Sequence, residues 1–270
     1  MERLLCSTQY GEIYILENNI KRIKKVYKNF NDFKLTEKYC SFFDNRYLAK
    51  IFQINEDKMS VLMEFVEGSE LNSIQSFEKR VNLAAEFYRS WITSLKRIDK
   101  IEEYHDINYL IRLQHVKEVV QEDIIQKLKI KFLFVIYKNE LEKYVSGNYI
   151  QNQYLLHGDI HGKNIIINKD NTMKLIDLSP VVGEIEFEYT KFIENELYNC
   201  FSFDEFSKKA NYMIKQFGLV REKFLKILYI DSCFRMLDTV FNDNQVEDIT
   251  KMKLINKRIL RMVGYNVELC

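Results

Sequence analysis

The chain has 270 residues, of which 47% are apolar and 29% charged, and 40 Lys and Arg against 39 Asp and Glu leave a net charge of +1. That length allows one large domain or two lobes, and that balance excludes a global field able to hold nucleic acid or a membrane surface. Gly (8) and Pro (1) are scarce, which suits a helix-rich chain. The five cysteines Cys6, Cys40, Cys200, Cys233 and Cys270 are scattered, odd in number and without a C-x-x-C pair. Neither a disulfide framework nor a zinc site is expected, and a reduced cytoplasm is the expected location. Residues 1–16 lack the apolar core of a secretory signal, Glu12 interrupting them. No window approaches the roughly 18 uncharged apolar residues of a membrane helix. Composition leaves monomer and dimer equally open.

The first 66 residues read mostly as strand. Residues 10–16 alternate partly and are rich in β-branched and aromatic side chains, Asn18-Asn19 supplies a turn, and 20–27 return as a second strand. A short helix is expected over 32–43, then strands over 48–54 and 60–66 joined by the polar turn Asn55-Glu56-Asp57-Lys58. At Glu67-Gly68-Ser69 the pattern changes. Val81, Ala84, Ala85, Tyr88, Trp91, Ile92 and Leu95 recur at helical spacing within 77–98, and 107–145 predict one or two further helices. A short hairpin follows, and 188–263 read as helical again, most clearly over 203–217 and 222–241. The expected architecture is α+β and two-lobed. A small β-rich lobe with one helix covers 1–66, a hinge lies near 64–69, and a larger, mostly helical lobe covers 67–270, leaving an interlobe cleft suited to a small molecule.

Residues 155–188, LLHGDIHGKNIIINKDNTMKLIDLSPVVGEIEFE, carry the chemistry. Asp159 follows an apolar run, and Asn164 lies five residues later. The strand-like 165–168 run through Lys169-Asp170-Asn171 into the strand-like 173–176, which end at Asp177. An antiparallel hairpin brings its outer ends together, so Asn164 and Asp177 meet at one end. Two oxygen-bearing side chains there suit Mg²⁺, which takes oxygen ligands and is usually shared with substrate phosphates. Asp159 is left to face an acceptor hydroxyl.

His157-Gly158-Asp159-Ile160-His161-Gly162-Lys163-Asn164, followed by Leu175-Ile176-Asp177, resembles the H-G-D-x-x-x-x-N…I-D signature of aminoglycoside phosphotransferases, small-molecule counterparts of protein kinases. The continuation through Pro180, Val182-Gly183-Glu184 and Glu188 is most similar to the streptomycin 6-phosphotransferase branch, grouped with hydroxyurea-resistance kinases. The resemblance implies a protein-kinase-like fold in which Asp159 is the catalytic base, or the group that orients the attacking hydroxyl, and Asn164 and Asp177 bind Mg²⁺. It also implies that Lys25, in Ile23-Lys24-Lys25-Val26-Tyr27, reaches the nucleotide phosphates, with Glu37 on the following helix as its ion-pair partner. Lys24 and Lys25 point to opposite faces of a strand, and alternation by itself does not choose between them. Ser7-Thr8-Gln9-Tyr10-Gly11 takes the place of the phosphate-covering loop, with one glycine where protein kinases have three. Met63-Glu64-Phe65-Val66-Glu67-Gly68 resembles the adenine-binding linker, in which the Glu64 carbonyl and the Val66 amide meet the base edge. Lys163 stands where many relatives have glycine and is expected to point to solvent.

His157 is expected to be a packed, hydrogen-bonded residue rather than a base, and His161 to face either substrate or solvent. His105 and His115 are expected on helix surfaces. The lysines within 21–28 read as one functional side chain on a basic strand rather than a nucleic-acid surface. Glu184, Glu186, Glu188, Glu194 and Glu196 either line an acceptor pocket or form the exposed face and first turn of a helix. Glu184 and Glu188 match acidic positions of the family pattern. Asp231, with Arg235 and Asp238 at helical spacing, is either an acceptor-site residue or part of a salt-bridge row, the row being preferred.

The implied activity is transfer of the γ-phosphate of ATP or GTP, with Mg²⁺, to a hydroxyl of a small molecule, most simply an aminoglycoside antibiotic such as streptomycin. No nucleic-acid or membrane partner is expected. The alternatives are a metabolite kinase acting on a sugar, choline-like or amino alcohol, and a non-catalytic kinase-like binding protein. No segment ending in Ala-Pro-Glu follows Asp177, which counts against a protein substrate.

Overall fold

The computed structural model describes residues 1–270 except 9, 18–19, 121, 148–151, 243–245 and 270, so Gln9, the Asn18-Asn19 turn and Cys270 lie outside the described residues. The architecture is α+β, and the chain forms two compact units. One comprises Met1–Lys96 and His157–Pro180, the other Arg97–Leu156 and Val181–Cys270.

The first unit opens with β1 (Glu2–Ser7), β2 (Gly11–Leu16), β3 (Arg22–Tyr27) and α1 (Phe30–Tyr39). It adds β4 (Ile51–Asn55), β5 (Ser60–Glu64), β6 (Ser69–Glu70) and α2 (Phe77–Ser94). The chain then enters the second unit with β7 (Arg97–Ile98), α3 (Tyr109–Val119), α4 (Glu122–Lys127), α5 (Lys131–Ser146) and β8 (Gln153–Leu156). It returns to the first for β9 (Ile165–Ile167) and β10 (Met173–Leu175). It ends in the second with β11 (Val181–Gly183), α6 (Phe187–Leu197), α7 (Phe203–Gln216), α8 (Arg221–Asn242) and α9 (Val246–Val263).

Several boundaries differ from those expected, each for a local reason. α1 begins at Phe30 because the Asn29 side chain accepts the amides of Asn31 (2.8 Å) and Asp32 (3.3 Å). Over 107–145 three helices form rather than one or two. Val120 turns extended at φ −67 and ψ 114 to end α3, and Lys129, at φ 53, separates α4 from α5. β1 was not expected; pairing with β2 from Glu2 opposite Leu16 to Ser7 opposite Glu12 makes it a strand.

In the first unit an antiparallel sheet runs in the order β1-β2-β3-β5-β4. Lys25 on β3 lies between Ile13 and Val61. Tyr27, Phe33 of α1 and Val61 form a small core, backed by Ile51, Ile54, Met59 and Met63. The β9–β10 hairpin turns through Asn171, whose φ of 64 is a conformation that Asn tolerates, and joins β6 in a second sheet. Leu175 fastens this hairpin to the connection before β4: its N–H donates to the Tyr47 carbonyl (2.6 Å), and its carbonyl accepts from Ala49 (2.9 Å). Lys174 reaches the Glu64 carboxylate at 2.6 Å. The hairpin and β3 therefore belong to one packed body.

The second unit contains the sheet β11-β8-β7 and most of the helices. α8 is buried on nearly every side from Phe224 to Leu237, with Asp231 and Ser232 enclosed among Leu228, Tyr229, Cys233 and Met236. Those two polar groups need partners inside the protein. Among the described residues, no helix is long and apolar enough to cross a membrane.

Candidate active site

The first unit holds a cavity of about 740 Å³, within the range of small-molecule sites. Its apolar wall includes Leu48, Ala49, Met63, Ile166 and Ile176, and its polar groups include Lys25, Asn164 and Asp177. Ile23, Lys25 and Tyr27 all line it, so one face of β3 points inward. Lys24 is on the other face, paired with Glu2 at 2.9 Å. Tertiary packing thus selects Lys25, where alternation alone left both lysines open.

The Lys25 ammonium pairs with the Asp177 carboxylate rather than with Glu37. The expected Lys25–Glu37 pair is not formed, because Glu37 is taken by Lys34 one helical turn earlier (2.7 Å), and Lys34 also holds Glu56 (2.9 Å). Burial opposes the charge on Lys25, but the neighbouring Tyr27 and the Asp177 carboxylate outweigh it and hold its pKa above the ordinary lysine value.

From the segment that follows Asp159, Lys163, Asn164, Ile166, Ile176 and Asp177 line the cavity as well. Asn164 is buried, and its carbonyl accepts the Ile176 amide at 3.0 Å, which sets it beside the end of β10. Its Nδ2 donates to the Asp159 carbonyl (3.0 Å) and to Asp159 Oδ2 (3.3 Å). Asp177 has φ 61, a left-handed conformation rare for a residue with a side chain and often retained at functional sites. The expected meeting of Asn164 and Asp177 at the open end of the hairpin is thus present, with Asp159 hydrogen-bonded to Asn164. Gly162 packs closely against the Asn72 side chain, which a Cβ there would have to displace from 1.9 Å. His161 Nε2 lies 3.6 Å from Asp159 Oδ2.

His157 is fully enclosed. Its Nε2 lies 3.0 Å from the Ile176 carbonyl, and its Nδ1 accepts the Asp159 amide at 3.4 Å, an arrangement that assigns the proton to Nε2. Burial pushes its pKa down to about 4, so it is neutral at pH 7 and supports the loop. This is the packed histidine that the sequence suggested.

Glu64 and Val66 line the cavity, in the position expected of the linker. The Glu64 side chain is structural here, accepting the Lys50 amide (3.0 Å) and Lys174. Thr8 of the loop before β2 also lines the cavity, and its Oγ1 accepts the Tyr10 and Gly11 amides, each at 3.2 Å. Lys163 is exposed yet contributes to the cavity wall rather than pointing wholly to solvent. Tyr27 and Thr36 line the cavity as well and were assigned no role from sequence; the recurrence of Tyr27 two residues after Lys25 was the available signal.

The other candidate acids lie in the second unit. Glu184 and Glu188 are buried. Glu184 Oε2 pairs with Lys223 at 2.8 Å, and Lys223 also holds Glu186 at 2.7 Å. Burial raises the Glu184 pKa, with Lys223 opposing. Asp231 accepts the Tyr109 hydroxyl and pairs with Arg235 four residues on, so the expected salt-bridge row is present at these two positions. Arg235 further donates to Thr190 Oγ1 (2.8 Å) and approaches Glu194 (3.5 Å).

No family model matches the chain, and no curated protein matches it by sequence. Solved structures match it along nearly its whole length. The choline kinase LicA from Streptococcus pneumoniae is 14% identical with a TM-score of 0.66, over 97% of this chain and 94% of that one. A ternary complex of a thermostable mutant of the aminoglycoside phosphotransferase APH(4)-Ia with AMP-PNP and hygromycin B is 10% identical with a TM-score of 0.71, over 98% and 95%. A Plasmodium vivax ethanolamine kinase is 13% identical with a TM-score of 0.63, over 94% and 80%. The chain has the α+β, protein-kinase-like fold that these structures share.

Proposed function

We propose that the protein is a nucleotide-dependent O-phosphotransferase that moves the γ-phosphate of ATP or GTP to a hydroxyl of a small molecule. The observation that carries the reading is the convergence of Lys25, Asn164 and Asp177 on one largely apolar cavity, with Asp159 hydrogen-bonded to Asn164. Leu48, Ala49, Met63 and Ile166 suit the faces of a purine, and the backbone of Glu64 and Val66 suits its edge. Lys25 places positive charge at the phosphate end. Asn164 and Asp177 would hold Mg²⁺; two oxygen donors leave room for the phosphates and water that this ion retains. Bound there, the ion would neutralise charge on the transferring group. Asp159 orients the acceptor hydroxyl and takes its proton late in a loose transfer that asks mainly for position. On this reading residues 1–66 bind nucleotide and 67–270 carry the catalytic loop and the acceptor groups.

The acceptor is most simply an aminoglycoside, for which Glu184, held by the partly exposed Lys223, is the proposed recognition acid, and Glu188, 1% exposed, is read as structural. Asp231 is read as structural, since Tyr109 and Arg235 occupy it. A choline-like or amino-alcohol acceptor is the second reading, favoured by the choline and ethanolamine kinases among the structural matches. Asp159→Asn is expected to lower kcat by about 10³-fold while leaving nucleotide affinity nearly unchanged. A coupled nucleotide-consumption assay across aminoglycosides and hydroxylated metabolites, with calorimetry of nucleotide binding, measures both. Full turnover in the variant would overturn the role given to Asp159. A kcat/KM for a metabolite far above that for any antibiotic selects the second reading.

A further inference from the structure

Lys25 is held by an aromatic ring where a helix carboxylate was expected. Its Nζ lies 4.6 Å from the centroid of the Tyr27 ring. Positions i and i+2 of a strand share a face, so both side chains enter the cavity from β3. Tyr27 is itself fixed. It is 4% exposed, and its ring meets Phe33 edge-on at 5.8 Å. Its hydroxyl donates to Thr36 Oγ1 at 3.1 Å, and the Thr36 hydroxyl donates in turn to the Asp32 carbonyl at 3.1 Å. The side of α1 facing β3 is therefore Phe33 and Thr36. Glu37, about 100° further round the helix, is bound to Lys34.

We infer that Tyr27, locked by Thr36, is a positioning residue for Lys25, its ring holding the ammonium in the cavity in place of a helix carboxylate. The inference rests on the phosphotransferase reading. Two features of the geometry support it. A carboxylate partner would share the lysine charge, whereas a ring face attracts the ammonium through its quadrupole and leaves the full charge for a ligand. The carboxylate that Lys25 does contact, Asp177, is also a proposed metal ligand, and it is 46% exposed against 12% for Lys25. When a ligand draws Asp177 away, the ring and its hydroxyl bond to Thr36 still fix where the ammonium points. Tyr27 touches no reacting atom in this scheme; it acts through Lys25.

The test compares ATP with adenosine, which lacks the phosphates, by calorimetry on the full chain (GTP with guanosine if GTP is the nucleotide bound). Tyr27→Leu is expected to weaken ATP about tenfold and to leave adenosine within about twofold. Tyr27→Phe, which keeps the ring and loses the hydroxyl contacts with Thr36 and Lys25, is expected to stay within about threefold for ATP, as is Thr36→Val. If Tyr27→Leu does not fold, as judged by circular dichroism, Tyr27→Met carries the same expectation. Unchanged ATP affinity in the ring-less variant overturns the inference, and so does an equal loss for adenosine, which would mark a packing role alone. A loss of ATP affinity in Glu37→Gln as large as in Tyr27→Leu would return the positioning role to the helix and overturn it too. A wild-type chain that binds neither ATP nor GTP removes both this inference and the function it rests on. Nucleotide binding by the wild type with no Tyr27 effect removes the inference only.

Discussion

Two ion pairs in this molecule use the same chemistry in opposite surroundings. In the second unit Asp231 and Arg235 stand one helical turn apart, and Asp231 is 1% exposed. Tyr109, Thr190 and Glu194 surround the pair with further polar contacts. In the first unit Lys25 is mostly covered, but its partner Asp177 is 46% exposed and lines a cavity. An enclosed pair set in such a network holds structure together, because removing either member strands a charge in low dielectric. A pair with one side open has coordination to spare and exchanges its partner for a ligand at little cost. Burial of the second member, more than the pairing itself, separates a structural network from a site.

The comparison breaks first at Asp231. Asp231→Ala leaves Arg235 and Tyr109 without their partner in a buried setting, and an unfolding stability lower by about 3–5 kcal/mol is expected in denaturant titration. A loss near zero would mean that solvent reaches this network.

His157 belongs to the site unit yet is enclosed, so it is expected to behave like the network. Its folded pKa of about 4 lies below its unfolded value of 6.5. Between those values the unfolded chain binds more protons, so stability rises with pH across this window. The contribution is complete above pH 6.5 and lost as pH falls toward 4, by at most about 3 kcal/mol. Chemical denaturation from pH 4 to 7 should show that slope, and His157→Gln should flatten it. An unflattened slope would assign it to other groups.

The smallest stability effect is expected where the pair is open. Lys25→Ala leaves Asp177 to rehydrate and should cost less than about 1 kcal/mol in unfolding. Nucleotide affinity should instead fall about tenfold to a hundredfold, the loss of a charge-assisted contact. Lys24→Ala, on the opposite face, should change nucleotide affinity by less than about twofold. If Lys25→Ala destabilises the fold as much as Asp231→Ala, the contrast between the two pairs is lost.

Residues that act within a few positions of one another were legible in the sequence. The turn at Lys169-Asp170-Asn171 and the outer ends of its hairpin follow from chain connectivity, so Asn164 and Asp177 meet as expected. The Asp231–Arg235 pair follows from helical spacing. Glu37 shows where such reasoning stops. On its helix both Lys34 and the inward face were open to it, and only the seating of α1 on β3, with Phe33 and Thr36 inward, gave it to Lys34.

From the chain alone came the α+β class, the local order His157 to Asp177 and the residue types for phosphoryl transfer, because strand pairing and helical periodicity act over short separations. Tertiary structure decided which of Lys24 and Lys25 faces the cavity, the pairing of Lys25 with Asp177 across 152 residues, and the fastening of the hairpin to the connection before β4. It also decided that Asp231 is enclosed. Side-chain partners far apart in sequence are chosen by burial and packing among several that the local pattern permits, and that choice exists only once the elements are in contact.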